Sequence, residues 1–597
     1  MELSSMIRSR TNLPDLAAFG MPLCTPFEVR PLRRARLSWL NEGWLLQRGV
    51  DVLDPRVRRD VSSALLREYG VSSSPADAAD TAGTSRILYA DRYGGSGGAA
   101  HGGSGRAGIS NLFNAKGIGC TPLVPNNTDW NHSHGFMWLD EALREAISSE
   151  IAVEELPFSA VPLLAIIDTG IDFKRDNEPT RRRAIVVRPN FVRPAHFERS
   201  LHFGDAGTPE SQQYLDAMRV RQMVGAASGE SASLMGDVTL REMFLRFARQ
   251  VGAARAMRLW QGRFLSSNLS IDGALVDFGS FRSVANWRSA HGLVGEIFGA
   301  ELQSVRIALE SLLFYFQKYG PRTQRLPAGK QLSEELAREL DAAFIDTSLR
   351  GLGVDKARQP RAAAGLEALL WNYYRRQQSD SVEVDDDEDL RRPWIYDLIR
   401  PGANASALPH KQDCKEALAL ARYLLDANPA AEPADVSLLN AQRWFRPRQH
   451  LFYNLAVRGA RLCVGRLSGN AGIDARQVAK YVDLQVSRSR RHWPRLPQDL
   501  EVCAQVTRGY SSALYCRHRD TGERRVWLEG CLSPEHFHVF DARISLGRCD
   551  ADLQQSQHRA GVELPADAIS PQLGGMVTFG GQSIGIPPAQ LHYSTER

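Results

Sequence analysis

The stretch that decides the fold is RFLSSNLSIDGALVDFGSF, residues 263–281. Two short apolar segments flank Asp272-Gly273, a dipeptide typical of two-residue hairpin turns, and the pattern therefore predicts two paired strands. A tight hairpin sets Asn268, which precedes the first strand, beside Asp277, which follows the second. Two oxygen ligands that face one point suit Mg²⁺ carried by phosphates. The alternative is a plain surface hairpin, because the Asp-Phe-Gly tripeptide alone has little specificity.

A glycine-rich segment lies upstream, at residues 94–105, and leads into a lysine set between apolar residues at 113–119. Glycines let backbone N–H groups approach phosphate oxygens, and basic side chains add charge. A flexible linker is also rich in Gly and Ser, but linkers seldom lead straight into such a lysine. The residues expected at a bound phosphate are Gly103, Gly105, Arg106, Lys116 and Gly117.

Apolar residues recur at helical spacing from Trp138 to Ile151 and predict an amphipathic helix. Glu141 and Glu145 share one face of that helix. In kinase-like sites a glutamate from such a helix pairs with a strand lysine and positions the phosphates. For either glutamate taken alone, a solvated acid on the helix surface is an equally open reading.

Residues 161–168 and 184–189 read as two strands joined by a charged turn at 172–183. Arg188 ends the second strand and Arg193 follows five residues later. The planar fork of arginine suits phosphate oxygens, although arginines at strand ends more often face solvent.

Taken in order, these pieces resemble the selenoprotein O family, a pseudokinase-fold group that transfers AMP from ATP to protein side chains. The resemblance covers about residues 90 to 285. The family's K-G-x-G-x-T-P is similar to residues 116–122, and its R-E-S-x-x-S-E is similar to residues 144–150. Its strand-end Arg, followed by P-S-H-x-R-x-G-H-F-E, is similar to residues 188–198, with a short deletion after Arg188. Its N-T-D-N is similar to residues 265–268, and its D-Y-G-P-F to residues 277–281.

The resemblance implies an α+β, kinase-like bilobal fold with ATP and Mg²⁺ as cofactors. ATP would lie inverted relative to a protein kinase and expose its α-phosphate to the acceptor. The implied roles are an ion pair for Lys116 and Glu145, phosphate contacts for Arg106, Arg188 and Arg193, and metal binding for Asn268 and Asp277. Lys116, Glu145, Arg188 and Arg193 are then the expected catalytic residues.

Two departures from the family pattern bear on the acceptor. An insertion at residues 124–137, rich in Asn, His and Trp, separates the lysine from the glutamate helix and suits a lid or an acceptor-binding loop. The family's proposed base, the Asp of N-T-D-N, is Ser267 here. Serine cannot take a proton from a hydroxyl at neutral pH. A peptide C-terminus, with a pKa near 3.5, is already ionised and needs no base.

Residues 89–95, 101–106 and 116–124 resemble, more closely, the MchC-type proteins of microcin gene clusters. Those proteins work with an acyltransferase-like partner in joining a siderophore-derived group to the C-terminus of a ribosomal peptide. This resemblance implies a precursor peptide as substrate, an acyltransferase-like partner and AMP transfer to the peptide carboxylate. Two alternatives stay open: AMP transfer to Ser, Thr or Tyr of a protein, and a nucleotide-binding scaffold without activity.

Composition bounds the remaining possibilities. The chain has 597 residues, which predicts three or four domains. Its 73 basic side chains nearly balance its 68 acidic ones, so the composition implies no basic field of the size that nucleic acid requires, and we expect no nucleic-acid partner. The N-terminus has no apolar core of secretory length, and no apolar run approaches about 18 residues, so we expect a cytoplasmic protein without a membrane span. Eight cysteines without C-x-x-C spacing indicate reduced thiols.

Changes of pattern divide the chain into five segments. They are an N-terminal extension (1–84), a nucleotide-binding lobe (85–190), a helical lobe with the metal-binding hairpin (191–375), an acidic linker or loop (376–392) and a C-terminal region of unknown role (393–597). Within the last, 415–425 and 449–464 read as helices and 501–547 as a β-hairpin around Asp520-Thr521-Gly522-Glu523. The spacing of Cys516, Cys531, His536 and His538 fits no zinc pattern, so packing or surface roles are favoured for them.

Overall fold

The computed structural model describes most of the chain up to residue 379, and parts of it beyond. The described stretches are 13–95, 102–124, 130–175, 179–200, 210–228, 238–292, 296–323, 325–352, 360–379, 448–469 and 472–490, together with a few isolated residues between them and the backbone of short strands at 381–383, 500–544 and 576–585. The predicted helix at 415–425, the acidic run at 385–389 and the turn at 520–523 lie outside the described residues.

An eight-stranded sheet forms the centre of the fold. Its order is β2-β7-β8-β6-β5-β4-β1-β3, and each neighbouring pair is antiparallel. The strands are β1 (Cys24–Pro31), β2 (Arg36–Leu40), β3 (Val71–Ser72), β4 (Arg86–Asp91), β5 (Ala107–Ser110), β6 (Phe113–Lys116), β7 (Ala165–Phe173) and β8 (Arg181–Pro189). The two strands predicted at 161–168 and 184–189 are β7 and β8, but both extend further into the charged turn than expected.

Eleven α-helices occur among the described residues. They are α1 (Glu42–Gln47), α2 (Pro55–Tyr69), α3 (Trp130–Ser133), α4 (Leu139–Glu155), α5 (Glu210–Ser228), α6 (Leu240–Ala256), α7 (Glu301–Tyr319), α8 (Gly329–Gly351), α9 (Pro360–Gln378), α10 (Tyr453–Leu467) and α11 (Ala475–Arg490). The chain is therefore α+β with a large antiparallel sheet. Helix α4 is the one predicted at 138–151, and α10 covers most of the helix predicted at 449–464. The helical lobe predicted at 191–375 contains α5 to α8 and most of α9.

The predicted N-terminal extension is part of the same sheet. Strands β1 to β3 lie within residues 1–84, yet β1 pairs with β4 and β2 pairs with β7, so the expected boundary after residue 84 runs through the sheet. Helices α1 and α2 cover one face of it, where Trp44 and Tyr69 each contact the ring of Phe113 edge-on at 6.3 Å between centroids. This face is a closed hydrophobic core.

Shorter strands complete the described elements. They are β9 (Leu259–Trp260), β10 (Arg282–Ser283), β11 (Ser289–His291), β12 (Ser381–Glu383), β13 (Ser468–Gly469), β14 (Gly472–Ile473), β15 (Leu500–Arg508), β16 (Ser511–His518), β17 (Arg524–Ser533), β18 (His536–Ile544), β19 (Met576–Phe579) and β20 (Gln582–Gly585). Strands β15 to β18 form a four-stranded antiparallel sheet, where the sequence predicts a single hairpin. The side chains of the two cysteines and two histidines considered there lie outside the description.

The chain divides into two compact units. The first comprises residues 1–282, 290–344 and 456–486, and the second comprises 283–289, 345–455 and 487–597. Every candidate site residue belongs to the first unit. None of the described helices is long and apolar enough to cross a membrane.

Candidate functional site: a buried lysine between two carboxylates

Alternation along the central strands separates a core face from a polar face. On β6, Phe113 and Ala115 point into the core beneath α1 and α2, so Asn114 and Lys116 point to the opposite face. Lys116 lies opposite Val186 of β8 in the strand register, and Asn114 lies opposite Arg188. Because paired residues of an antiparallel sheet share a face, the lysine and the arginine lie on the same side of the sheet. Helix α4 packs against β7 and β8.

Lys116 is the centre of the polar face. Its side chain is only 3% exposed, and its ammonium group contacts the carboxylate of Glu145 and lies 2.8 Å from Oδ1 of Asp277. Glu145 comes from the middle of α4 and is fully buried, whereas the side chain of Asp277 is 37% exposed. One lysine therefore links the sheet, the helix and the hairpin segment. The ion pair expected between Lys116 and Glu145 is present.

The electrostatic balance of this cluster favours an ionised Asp277. Burial raises the pKa of that carboxyl group, but the charges of Lys116, Arg106 and Arg188 outweigh burial and hold the pKa well below its usual value. Burial also raises the pKa of Glu145, and Lys116 opposes that shift. The more exposed carboxylate is thus the one that stays charged over the widest pH range.

Arg106 precedes β5 and lies at the edge of the cluster. Its guanidinium group donates to Oε1 of Glu141 and to the carbonyl oxygen of Phe136, both at 3.2 Å. Burial alone would raise the pKa of Glu141, yet Arg106 lowers it overall. The two glutamates that share a face of α4 therefore each take a basic partner from the sheet, Arg106 for Glu141 and Lys116 for Glu145.

Arg188 is buried without a carboxylate partner among the described residues. It is 3% exposed, and its Nε donates to Oδ1 of Asn114 at 3.1 Å. Burial lowers its pKa; the charge of Glu145 opposes this shift, and the charge of Arg193 adds to it. A buried cation in this setting favours the binding of an anion.

Arg193 is held between two aromatic rings. Its guanidinium carbon lies 4.6 Å from the ring centroid of Tyr93 and 4.5 Å from that of Phe191, and its Nη1 donates to the backbone oxygen of Ser267. The backbone N–H of Arg193 donates to Nδ1 of His196 at 3.0 Å. These contacts fix the orientation of the guanidinium group.

The hairpin differs from the sequence prediction in its turn. Leu269 pairs with Leu275, and the N–H of Ser270 donates to the oxygen of Ala274, so the loop has three residues with Gly273 at a φ of +101°. A three-residue loop with glycine in a left-handed conformation is a common alternative to the two-residue turn. The flanking segments form one isolated bridge instead of regular strands.

This change of register shifts the expected metal pair by one residue. The N–H of Val276 donates to the backbone oxygen of Asn268 at 2.9 Å, so Asn268 lies opposite Val276 and Asp277 lies one residue beyond. Asp277 has a left-handed φ of +61°, and the amide of Asn268 donates to the oxygen of Arg263 at 3.0 Å. Within the described residues no group of three or more His, Cys, Asp or Glu side chains is arranged to hold a metal ion. A metal here would take Asp277, with Asn268 and ligand oxygens completing its shell.

The glycines expected at phosphate have structural reasons of their own. Gly103 has a φ of +155°, and a Cβ there would lie 2.9 Å from the Cα of Arg92. Gly117 has a φ of +100°, and a Cβ there would lie 2.6 Å from the Cβ of Met137. Gly105 is less restricted, because its nearest neighbour would be a methyl group of Val124 at 3.2 Å.

Sequence reasoning missed the residues that orient the arginines. Asn114 holds Arg188, Tyr93 and Phe191 enclose Arg193, and the buried pair of Asp91 and His196, 3.2 Å apart, lies next to it. Asn114 was open to prediction, because it lies two residues before Lys116 on a short strand and so shares its face. The aromatic pair had no local signal, since Tyr93 and Phe191 are brought together only by the tertiary fold.

No protein-family model and no curated protein matches the chain. A functional proposal therefore depends on the geometry of Lys116, Glu145, Asp277 and the neighbouring arginines.

Proposed function

We propose that this chain is an ATP- and Mg²⁺-dependent nucleotidyltransferase with a kinase-like bilobal fold. In this proposal it transfers AMP to the C-terminal carboxylate of a ribosomal peptide during maturation of a microcin-like product. An acyltransferase-like partner would then use the activated peptide. ATP-dependent processing of a newly made peptide also fits a cytoplasmic enzyme.

The observation that supports nucleotide binding most strongly is the buried lysine between two carboxylates. Lys116 comes from a central strand, Glu145 from the adjacent helix and Asp277 from the segment after the hairpin. This is the set of groups that kinase-like sites use to position phosphates and a metal. Burying the charges of Lys116 and Glu145 costs desolvation energy that their mutual attraction need not repay, so a buried ion pair at this point favours a binding role over a stabilising one.

The arginines supply the charge that a triphosphate requires. Arg188 has no carboxylate partner among the described residues, and Arg193 is oriented by two aromatic rings and a backbone carbonyl. Two preorganised guanidinium groups suit phosphate oxygens that gain negative charge during transfer. Arg106, which is partly exposed, adds a third cation at the edge.

Bound Mg²⁺ would neutralise part of the triphosphate charge, with Asp277 and Asn268 as its protein ligands. Lys116 and Glu145 would position the phosphates, and Arg188 and Arg193 would stabilise the charge at the α-phosphorus. An oxygen of the peptide carboxylate forms the new bond to that phosphorus as the bond to the pyrophosphate oxygen breaks. The products are an acyl-adenylate and pyrophosphate, and no proton has to be removed.

Ser267 supports a carboxylate as the acceptor. Its side chain cannot act as a base, and its backbone oxygen is occupied by Arg193. A hydroxyl acceptor must lose a proton during the reaction, whereas a peptide carboxylate is already ionised at neutral pH.

Trapping with hydroxylamine tests this proposal. We expect the chain, incubated with Mg·ATP, its precursor peptide and hydroxylamine, to yield a C-terminal hydroxamate that mass spectrometry detects. The same peptide with a C-terminal amide should remain unmodified, because the amide removes the nucleophile but keeps nearly every recognition contact. Stable AMP on a Ser, Thr or Tyr side chain, equally on both peptides, would instead support a protein AMP-transferase. Nucleotide binding without either product would support a scaffold.

A further inference from the structure

Glu198 is a buried acid that the proposed reaction does not use. It follows the short 3₁₀ helix Pro194–Phe197 and is 1% exposed. Among the described residues no cation lies within ion-pair distance of its carboxyl group, and its Oε2 has no hydrogen-bond partner. Arg219 donates a hydrogen bond to the backbone oxygen of Glu198 at 2.5 Å and not to its carboxyl group. An isolated charge at such a position is costly, so the group favours its uncharged form.

The carboxyl group lies against the start of the glycine-rich segment. The N–H groups of Gly94 and Gly95 donate to the oxygens of Ala195 and Arg199, at 2.9 and 3.2 Å. A Cβ on Gly95 would lie 2.8 Å from Oε2 of Glu198 and would also clash with the hydroxyl oxygen of Ser266. Gly95 also has a φ of +94°. The backbone at Gly95 therefore lies directly against Glu198 and Ser266.

Ser266 connects this contact to the proposed metal site. It is the first residue of the 3₁₀ helix Ser266–Asn268, and the next residue, Ser267, is held by Arg193. The hydroxyl groups of Ser266 and of Ser311 on α7 lie near the Glu198 carboxyl group and lower its pKa. Glu198 thus lies next to Gly95 of the glycine-rich segment, to Ser266 of the segment that carries Asn268, and to Ser311 of α7.

We infer that Glu198 is a positioning residue, whose buried carboxyl group holds Gly94 and Gly95 against Ser266 and so couples the start of the glycine-rich segment to the segment that carries Asn268. The expected effect on ATP binding rests on the proposed function. The effect on the backbone of Gly94 and Gly95 does not, because it follows from the contacts of Glu198 alone.

Ionisation of Glu198 should loosen this contact. Burial raises its pKa, and the hydroxyl groups of Ser266 and Ser311 and the charge of Arg219 oppose the shift only in part. Tyr315 of α7 also faces the group, and Arg199 follows it in the chain. In the closed state Gly94 and Gly95 lie against Glu198, and in an open state the carboxyl group is hydrated. The closed state binds the proton more tightly, so closing is favoured at low pH and is progressively lost as pH rises from 4.5 toward the raised pKa of Glu198.

Hydrogen exchange of the nucleotide-free protein tests the inference. Between the ordinary and the raised pKa, we expect the protection of the Gly94 and Gly95 amides, corrected for intrinsic exchange, to fall about tenfold per pH unit. Glu198→Gln should remove this dependence, because the amide is uncharged at every pH. Asp168→Asn is the matched control: Asp168 on β7 is also buried with a raised pKa, yet it lies away from the glycine segment. Its variant should keep the fall seen in the parent protein.

Mg·ATP titrations of the same proteins separate this inference from the proposed function. We expect the parent's affinity to decline over the same pH range as the protection, and that of Glu198→Gln to stay level. If no protein binds ATP but the exchange result holds, the proposed function fails and the positioning role stands. An identical fall of protection in the parent and in Glu198→Gln would overturn the inference, whatever the result with ATP.

Discussion

At the residue scale, Lys116 forms ion pairs with two carboxylates, Glu145 and Asp277. An exposed ion pair contributes about 1 kcal/mol or less, but the side chain of Lys116 is 3% exposed and serves two carboxylates. We expect Lys116→Ala to abolish AMP transfer and to lower the free energy of unfolding by about 3–5 kcal/mol, because it leaves Glu145 buried without its partner. Urea denaturation and the hydroxamate assay measure the two effects.

A second variant separates stability from function at this position. Lys116→Met combined with Glu145→Gln removes both buried charges and keeps the volume, so most of the lost stability should return. Mg·ATP binding should not return, because neither group can position a phosphate. A double variant that binds Mg·ATP like the parent would make the pair purely structural.

Glu296 gives a pH-dependent prediction. Burial raises its pKa from 4.5 to about 7, with the nearby charge of Glu301 adding to the shift, and one of its oxygens accepts the N–H of Phe264 at 2.6 Å. The folded state therefore binds the proton more tightly than the unfolded state, and stability falls as pH rises from 4.5 to 7. We expect Glu296→Gln to reduce this fall by an amount on the order of 1–3 kcal/mol. Denaturation curves across that range that are parallel for both proteins would contradict it.

At the scale of elements, the hairpin depends on its glycine. Gly273 has a φ of +101°, and a Cβ there would lie 2.9 Å from the Cβ of Phe158 and 3.0 Å from that of Arg246. We expect Gly273→Ala to destabilise the protein by about 1–3 kcal/mol and to weaken Mg·ATP binding by displacing Asn268 and Asp277. Gly225→Ala is the control: Gly225 lies in α5 with no atom within 4 Å of an added Cβ, so that variant should gain about 0.5–1 kcal/mol.

Local pattern predicted some of these elements better than others. Helix α4 and strand β8 were predictable because the period of their apolar residues is itself the signal, and Glu145 follows from the face it occupies on α4. The turn of the hairpin was predicted wrongly. Asp272-Gly273 suits both a two-residue and a three-residue loop, and only the pairing of Leu269 with Leu275 decides between them.

At the scale of the whole molecule, contacts between segments that are distant in the chain could not be predicted from the sequence. Strand β2 pairs with β7, more than a hundred residues later in the chain, with Arg36 opposite Asp168. No local pattern in the sequence predicts this pairing. The same applies to Glu198, which meets Gly95 and Ser266 only in the folded chain. The contact between Lys116 and Glu145 was expected only because the resemblance to a family implies it. Nothing in the residues themselves shows that the two side chains meet in the folded chain.

The central claim is that Lys116, Glu145 and Asp277 form a site for a metal-bound nucleotide. Isothermal titration calorimetry of Mg·ATP against the parent protein and Asp277→Ala tests it most directly. We expect the parent to bind Mg·ATP, and to bind ATP more weakly when Mg²⁺ is removed with a chelator. Asp277→Ala should lose this dependence on Mg²⁺ together with most of the affinity, because it removes the most exposed carboxylate of the cluster. Unchanged Mg·ATP affinity in Asp277→Ala, with the parent's dependence on Mg²⁺ retained, would contradict the assignment of the site.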